Sequence, residues 1–243
     1  MHAAELREKA RSLALAGVND CEIARRLGLP RTTVRDMRVP RRTERPTCPR
    51  CWRPTRAVRF TAGEYAELLG LYLGDGCIVE AGRTQRLRLA LDARHPQVVA
   101  ETRALLAGCF PENRAAVVGA DAGATAVVSM YCSHLGCLFP QHGSGQKHRR
   151  RIDLEPWQDD LVARAPWSFL RGLMHSDGCF FVNRTGRYTY LSADFCNVSA
   201  DIRRLFVATC ERVGVHARES GPRVRIYRRE SVALLAAFVG IKR

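Results

Sequence analysis

Apolar positions along this chain change period several times, and the changes divide it. In residues 4–37, Leu6, Ala10, Leu13 and Ala14 recur at helical spacing. Gly17 closes that helix, and Asn19-Asp20 stands ready to cap a second over 21–27. Gly28-Leu-Pro30 reads as a tight turn and 31–37 as a third helix. Periodicity is lost over 38–60, where Pro40, Pro46, Pro49 and Pro54 interrupt a run of arginines, the composition of a semi-rigid basic linker. Helical spacing returns over 64–73 and stops at Gly74-Asp75-Gly76. Period two then takes over at 77–80 and 85–92, where Leu87, Leu89 and Leu91 alternate with Arg86, Arg88 and Ala90. A helix over 95–109, strands at 115–119 and 125–130, and a short helix ending near Phe139 complete this stretch.

The same order begins again at Trp167. A helix over 168–175 stops at Ser176-Asp177-Gly178, and strands follow at 179–183 and 188–196. A helix at 199–213, strands at 215–219 and 223–227, and a helix at 230–239 close the chain. Both stretches read αββαββα, an internal repeat that points to two pseudo-symmetric halves. The fold class is therefore α+β: a duplicated αββαββα body behind a small all-α head. The expected organisation is a head at 1–38, a linker at 39–60, a first half at 61–152 and a second at 153–243.

Composition narrows the class. The chain is 46% hydrophobic and 26% charged, which excludes a disordered tail. No apolar run approaches the roughly 18 residues of a membrane helix. The charged, helical start at 1–9 is not a signal peptide. The 39 basic residues exceed the 24 acidic ones, for a net charge of +15, and an acidic partner with nucleic acid foremost follows. All the basic residues but Lys9, Lys147 and Lys242 are arginine. Codon bias in a GC-rich genome would account for arginine over lysine, but not for base over acid.

The two repeat helices carry the candidate chemistry. Gly70 and Gly74 in one, and Gly172 and Ser176 in the other, lie four apart on one helix face. Small residues there let two helix backbones approach closely. If these faces pack, Asp75 and Asp177 meet at the helices' C-terminal ends. Two carboxylates in that position repel each other, lose hydration and face two negative dipole ends. A divalent cation offsets all three, and hard oxygen ligands favour Mg²⁺ or Ca²⁺ over zinc. Metal between two carboxylates and a phosphate is the arrangement for in-line phosphodiester hydrolysis.

Leu68-Leu-Gly-Leu-Tyr-Leu-Gly-Asp-Gly76 and Leu170-Arg-Gly-Leu-Met-His-Ser-Asp-Gly178 both resemble the signature of LAGLIDADG homing endonucleases, whose element order is also αββαββα. The resemblance covers about residues 62–240. It implies a single-chain saddle with the paired helices at its centre and two antiparallel sheets forming a DNA-binding surface. It also implies metal held by the penultimate acids, Asp75 and Asp177, with Gly76 and Gly178 beside them. The sequence departs at the sixth motif position, where Leu73 and His175 stand in place of the common Asp; His175 reads as a core histidine. The family tends to set a basic residue near the bound water, and Lys147 is the candidate, with phosphate binding or plain exposure as the alternatives. On the strands, Arg86, Arg88, Arg223 and Arg225 alternate with buried aliphatics and so face outward. Arg184 and Arg187 flank a turn beside Tyr188 and Tyr190. Arginines on a β-ribbon suit the major groove.

Residues 22–34 resemble a bacterial helix-turn-helix, with Ala24 at the helix crossing, Gly28 in the turn and Val34 in the core. Arg31, Thr32, Thr33 and Arg35 would then contact DNA. Six of the ten cysteines, Cys21, Cys77, Cys109, Cys179, Cys196 and Cys210, sit in apolar or helical surroundings and read as buried thiols in a reducing compartment. Cys48-Pro-Arg-Cys51 alone has metal-knuckle spacing. Zinc wants four ligands, and Cys132-Ser-His-Leu-Gly-Cys137 and His142 are the candidate further donors, with a knuckle that holds no metal as the alternative. The sequence reading is thus a free-standing, monomeric, Mg²⁺-dependent endonuclease on double-stranded DNA, with zinc as a second candidate metal. Two other classes stay open. One is a promoter-binding regulator of the kind found in sporulation, which joins a helix-turn-helix to a LAGLIDADG fold that no longer cuts. The other is an RNA-binding maturase.

Overall fold

The structure is a computed structural model that describes residues 3–38, 48 and 58–242. The linker with Cys51 lies outside the described residues. The chain forms two compact units, and residue 48 belongs to the second.

The smaller unit is three helices, α1 (Ala3–Leu15), α2 (Asp20–Leu27) and α3 (Arg31–Arg38). Asn19 caps α2 by accepting a hydrogen bond from the Glu22 N–H at 3.0 Å. Gly28 ends it at φ 65°, a conformation that costs glycine nothing. Ala10, Ile23 and Val34, one from each helix, make a fully buried core, and Ala24 and Leu27 pack against it.

The larger unit contains both repeats. In the first, α4 (Ala62–Asp75) leads to β1 (Gly76–Ala81), β2 (Thr84–Asp92), α5 (Pro96–Cys109), β3 (Ala116–Ala120), β4 (Thr125–Cys132) and α6 (Leu135–Leu138). Next comes α7 (Pro156–Arg164). The second repeat is α8 (Pro166–Asp177), β5 (Gly178–Thr185), β6 (Tyr188–Cys196), α9 (Ala200–Arg212), β7 (Arg218–Ser220), β8 (Arg223–Ile226) and α10 (Arg229–Val239). Each repeat forms one antiparallel four-stranded sheet, in the orders β1-β2-β4-β3 and β5-β6-β8-β7. A capping box between Thr61 and Glu64 starts α4. The alternation in β2 is realised, with Leu87, Leu89 and Leu91 buried in one core shared by both halves. No helix among the described residues is long and apolar enough to cross a membrane.

Three features depart from the sequence reading. Helix α7 is not among the expected elements, although Pro156 at its first turn, a Glu155–Gln158 capping box and Trp157 and Leu161 four apart mark it locally. Trp157 lies 5.1 Å from Tyr65 ring to ring, and the buried Gln158 donates to the Tyr65 hydroxyl at 2.7 Å, so α7 packs on the first half's α4. Strand β7 is Arg218–Ser220, so it keeps only two residues of the span expected at 215–219 and ends one residue later. Of the six cysteines expected to be buried, only Cys109 and Cys210 are; Cys21, Cys77, Cys179 and Cys196 are exposed. Cys77 and Cys179 are the second residues of β1 and β5, and alternation turns them away from the core that takes Ile78.

Candidate metal centre at the paired helix ends

Helices α4 and α8 pack through the small residues expected to join them. A Cβ on Gly70 would stand 2.6 Å from the Phe169 carbonyl oxygen, and one on Gly172 would stand 2.1 Å from that of Glu67. Gly74 faces Ser176 in the same way: its Cβ would meet Oγ at 2.0 Å and an Asp177 carboxylate oxygen at 3.0 Å. Both helices run through their aspartate before the chain turns into a strand. Gly76 and Gly178 follow in extended conformation, so it is not a left-handed φ that requires glycine there. The turn folds each glycine back onto its own helix, where a Cβ would lie 2.5 Å from the Tyr72 Cα or 2.4 Å from the Met174 sulfur.

Asp75 and Asp177 are thereby brought together, both half-buried. Burial, and then the neighbouring Asp177, pushes the Asp75 carboxyl up to about 7. Burial also raises Asp177, partly opposed by Asn197, whose Nδ2 donates to Oδ2 at 2.6 Å. Asn197 is itself held by the Ser199 N–H at 2.8 Å. Two lysines flank the pair. Lys147 donates to the carbonyls of Tyr72, Leu73 and Gly74 at 2.6, 2.8 and 2.7 Å, closing the C-terminal end of α4. Lys242 donates to the Ser176 carbonyl at 2.9 Å near the end of α8. Burial lowers both ammonium groups, Lys147 to about 8, while the two aspartates raise them. A cavity of about 570 Å³ opens beside Asp75, Ser176 and Lys242.

Lys147 thus caps α4 beside the carboxylates, half-buried, with its ammonium donating to three carbonyls. Sequence reasoning missed Lys242 and Asn197. The signal for Lys242 was present: in an arginine-dominated chain, a lysine follows the last helix of each repeat. Asn197 carried none, since its contact depends on how β6 leaves the sheet. His175 is 7% exposed and lowered to about 4 by burial, the state of a neutral core imidazole.

The other candidates separate by exposure. Arg31, Thr32 and Arg35 are exposed on α3, and Thr33 is half-buried. Arg184, Arg187 and Tyr188 are exposed at the β5–β6 tip, where Arg187 stacks 5.2 Å from the Tyr188 ring and Gly186 turns the chain at φ 58°. Arg223 is exposed, whereas Arg86, Arg88 and Arg225 are half-buried. Arg86 reaches the Ser129 hydroxyl at 2.9 Å and lies 5.4 Å from the Tyr131 ring. Cys48 is buried close to His134 and Cys137. Cys132 and His142, also considered as partners, are not in that group, and His142 lies 3.9 Å from Glu80.

No protein-family model and no curated protein matches this chain. Similar solved structures include the LAGLIDADG meganuclease I-AabMI bound to uncleaved DNA, at 10% identity and TM-score 0.45, covering 72% of this chain and 82% of that one. Full-length DUF199/WhiA from Thermatoga maritima is similar at 16% identity and TM-score 0.48, covering 76% of this chain and 58% of its own. The homing endonuclease I-WcaI bound to its DNA recognition sequence is similar at 13% identity and TM-score 0.45, covering 75% and 84%.

Proposed function

We propose that this protein binds double-stranded DNA and hydrolyses its phosphodiester bonds with a divalent cation held between Asp75 and Asp177. The observation that carries the reading is the pairing of these two carboxylates at the ends of tightly packed helices, with the Asp75 carboxyl pushed up to about 7. Such a pair is unfavourable without a cation, and its oxygen donors match Mg²⁺. When bound, the cation would supply Lewis acidity at a phosphate. Asp75 and Asp177 would hold it, with Asn197 fixing the orientation of Asp177. Lys147 and Lys242 keep positive charge at the helix ends and favour the ionised aspartates. Arg184, Arg187 and Arg223 are exposed to meet backbone phosphates, and the net charge of +15 favours the complex. The exposed Arg31, Thr32 and Arg35 of α3 give the smaller unit its own DNA contact. The repeat supplies both acids in one chain, so the monomer is the working form.

A second reading, a DNA-binding regulator that does not cut, is favoured by Lys147, whose protons are all on carbonyls. A cleavage assay on a randomised duplex library separates the two. We expect Mg²⁺-dependent cuts at an enriched site, lost in D75N/D177N. Site-selective retention without cutting, equal in wild type and variant, would leave the regulator.

A further inference from the structure

We propose that Cys48, His134 and Cys137 form a structural zinc site that fastens residue 48 to the first half of the body. One ligand atom from each lies within 4.8 Å of the others. Zn–S bonds of about 2.3 Å and Zn–N bonds of about 2.0 Å set tetrahedral ligands roughly 3.5 Å apart, so closing on an ion takes only a small adjustment. Two thiols and an imidazole are the soft and borderline donors that select zinc over the hard cations suited to carboxylates. Cys48 is 6% and His134 4% exposed, a place for a shielded structural ion rather than a solvent-filled one.

The scaffold is fixed before any ion binds. His134 precedes the four-residue α6 and Cys137 lies on it. The Gly136 N–H donates to the Gln85 side chain at 2.9 Å, and the Tyr65 hydroxyl donates to the Leu138 carbonyl at 2.5 Å. Strand β2 and helix α4 thus hold the turn from two sides, the support a metal site needs. The second repeat has no cysteine or histidine at the start of α10; there Ser231 accepts a hydrogen bond from the His216 N–H at 2.9 Å. The cluster is therefore particular to the first half. The sequence also supplies Cys51 at Cys-x-x-Cys spacing, outside the described residues. This site is independent of Asp75 and Asp177.

The test is metal content by mass spectrometry on the untagged full chain, together with the absorption spectrum after cobalt substitution. We expect one zinc per chain, retained in D75N/D177N and lost in C48S and in C137S. Cobalt should give thiolate charge-transfer bands and the strong visible absorption of a tetrahedral site. Chelation should lower the Tm of the wild type but not of C48S. If C137S fails to fold, C48S and the wild-type cobalt spectrum decide. A folded wild-type chain that takes up neither zinc nor cobalt, full zinc retention in C48S, or a Cys48–Cys137 disulfide in the purified protein would overturn the proposal.

Discussion

Gly70 and Gly172 face each other across α4 and α8 so closely that a Cβ on either would stand 2.9 Å from the Cα of the other. This approach brings the ends of the two helices together and so determines how near Asp75 and Asp177 come.

Gly172→Ala is expected to destabilise. Alanine gains about 1 kcal/mol of helix propensity over glycine. Its Cβ, however, would sit 2.1 Å from the Glu67 carbonyl oxygen, a backbone atom that cannot swing aside. Overpacking typically costs about 1–3 kcal/mol, and a backbone clash belongs at or above the top of that range. A net loss of about 2 kcal/mol or more should appear as a fall in Tm of about 5 °C or more. An unchanged Tm would contradict the packing described.

The metal-free protein should lose stability as pH rises. The folded-state Asp75 carboxyl is pushed up from 3.8 to about 7, so the folded chain holds a proton that the unfolded chain has released. Its penalty is absent below about pH 4, grows between 4 and 7, and is constant above 7. Tm measured in chelator across that window should fall for wild type and fall less for D75N, whose side chain cannot ionise. Mg²⁺ should raise the Tm of wild type at pH 7.5 and have little effect on D75N/D177N.

Lys147→Met should be more damaging than Lys242→Met. Lys147 closes three carbonyls of α4, whereas Lys242 closes one near the end of α8. Charged hydrogen bonds contribute about 1.5–3 kcal/mol when their removal strands a partner, so we expect losses of about 2–3 and about 1–2 kcal/mol. Removing either ammonium should also raise the Asp75 carboxyl further. Urea melts at several pH values report both effects.

DNA binding should depend on salt through the exposed arginines. Every phosphate that a variant no longer neutralises lowers the log–log salt slope by about 0.9. R184A/R187A is therefore expected to reduce the slope by about 2 with a uniform drop in affinity. R86A, at a half-buried position tied to Ser129 and Tyr131, should alter site preference more than slope. Affinity measured over a salt series on specific and scrambled duplexes distinguishes these effects.

Much of this was legible in the primary structure. The period of two in 85–92 fixed which face of β2 is apolar, and the nearly unbroken apolar run of 65–73 marked a helix buried on almost every side. The duplication of a small-xxx-small helix ending in Asp-Gly marked the two carboxylates as a pair. The start signals of α7, Pro156 and the Glu155–Gln158 pair, were local, but its docking on Tyr65 far back in the chain was not. Spacing paired Cys48 with Cys51, which lies outside the described residues, and the fold brings His134 and Cys137, from the run that offered further donors, to Cys48.

The sequence by itself determined the repeat, the apolar faces, the basic charge and the identity of the two acids, because periodicity and composition are local properties that survive without coordinates. Only the tertiary structure decided what surrounds those acids. The approach of α4 to α8 buries Asp75 and shifts its carboxyl. The return of the chain after the last helix of each repeat brings Lys147 and Lys242 onto helix ends, and the exit of β6 aims Asn197 at Asp177. Proton affinity and hydrogen bonding at such a site depend on desolvation and on distances of a few ångströms between residues far apart in sequence. Those quantities exist only once the core has packed.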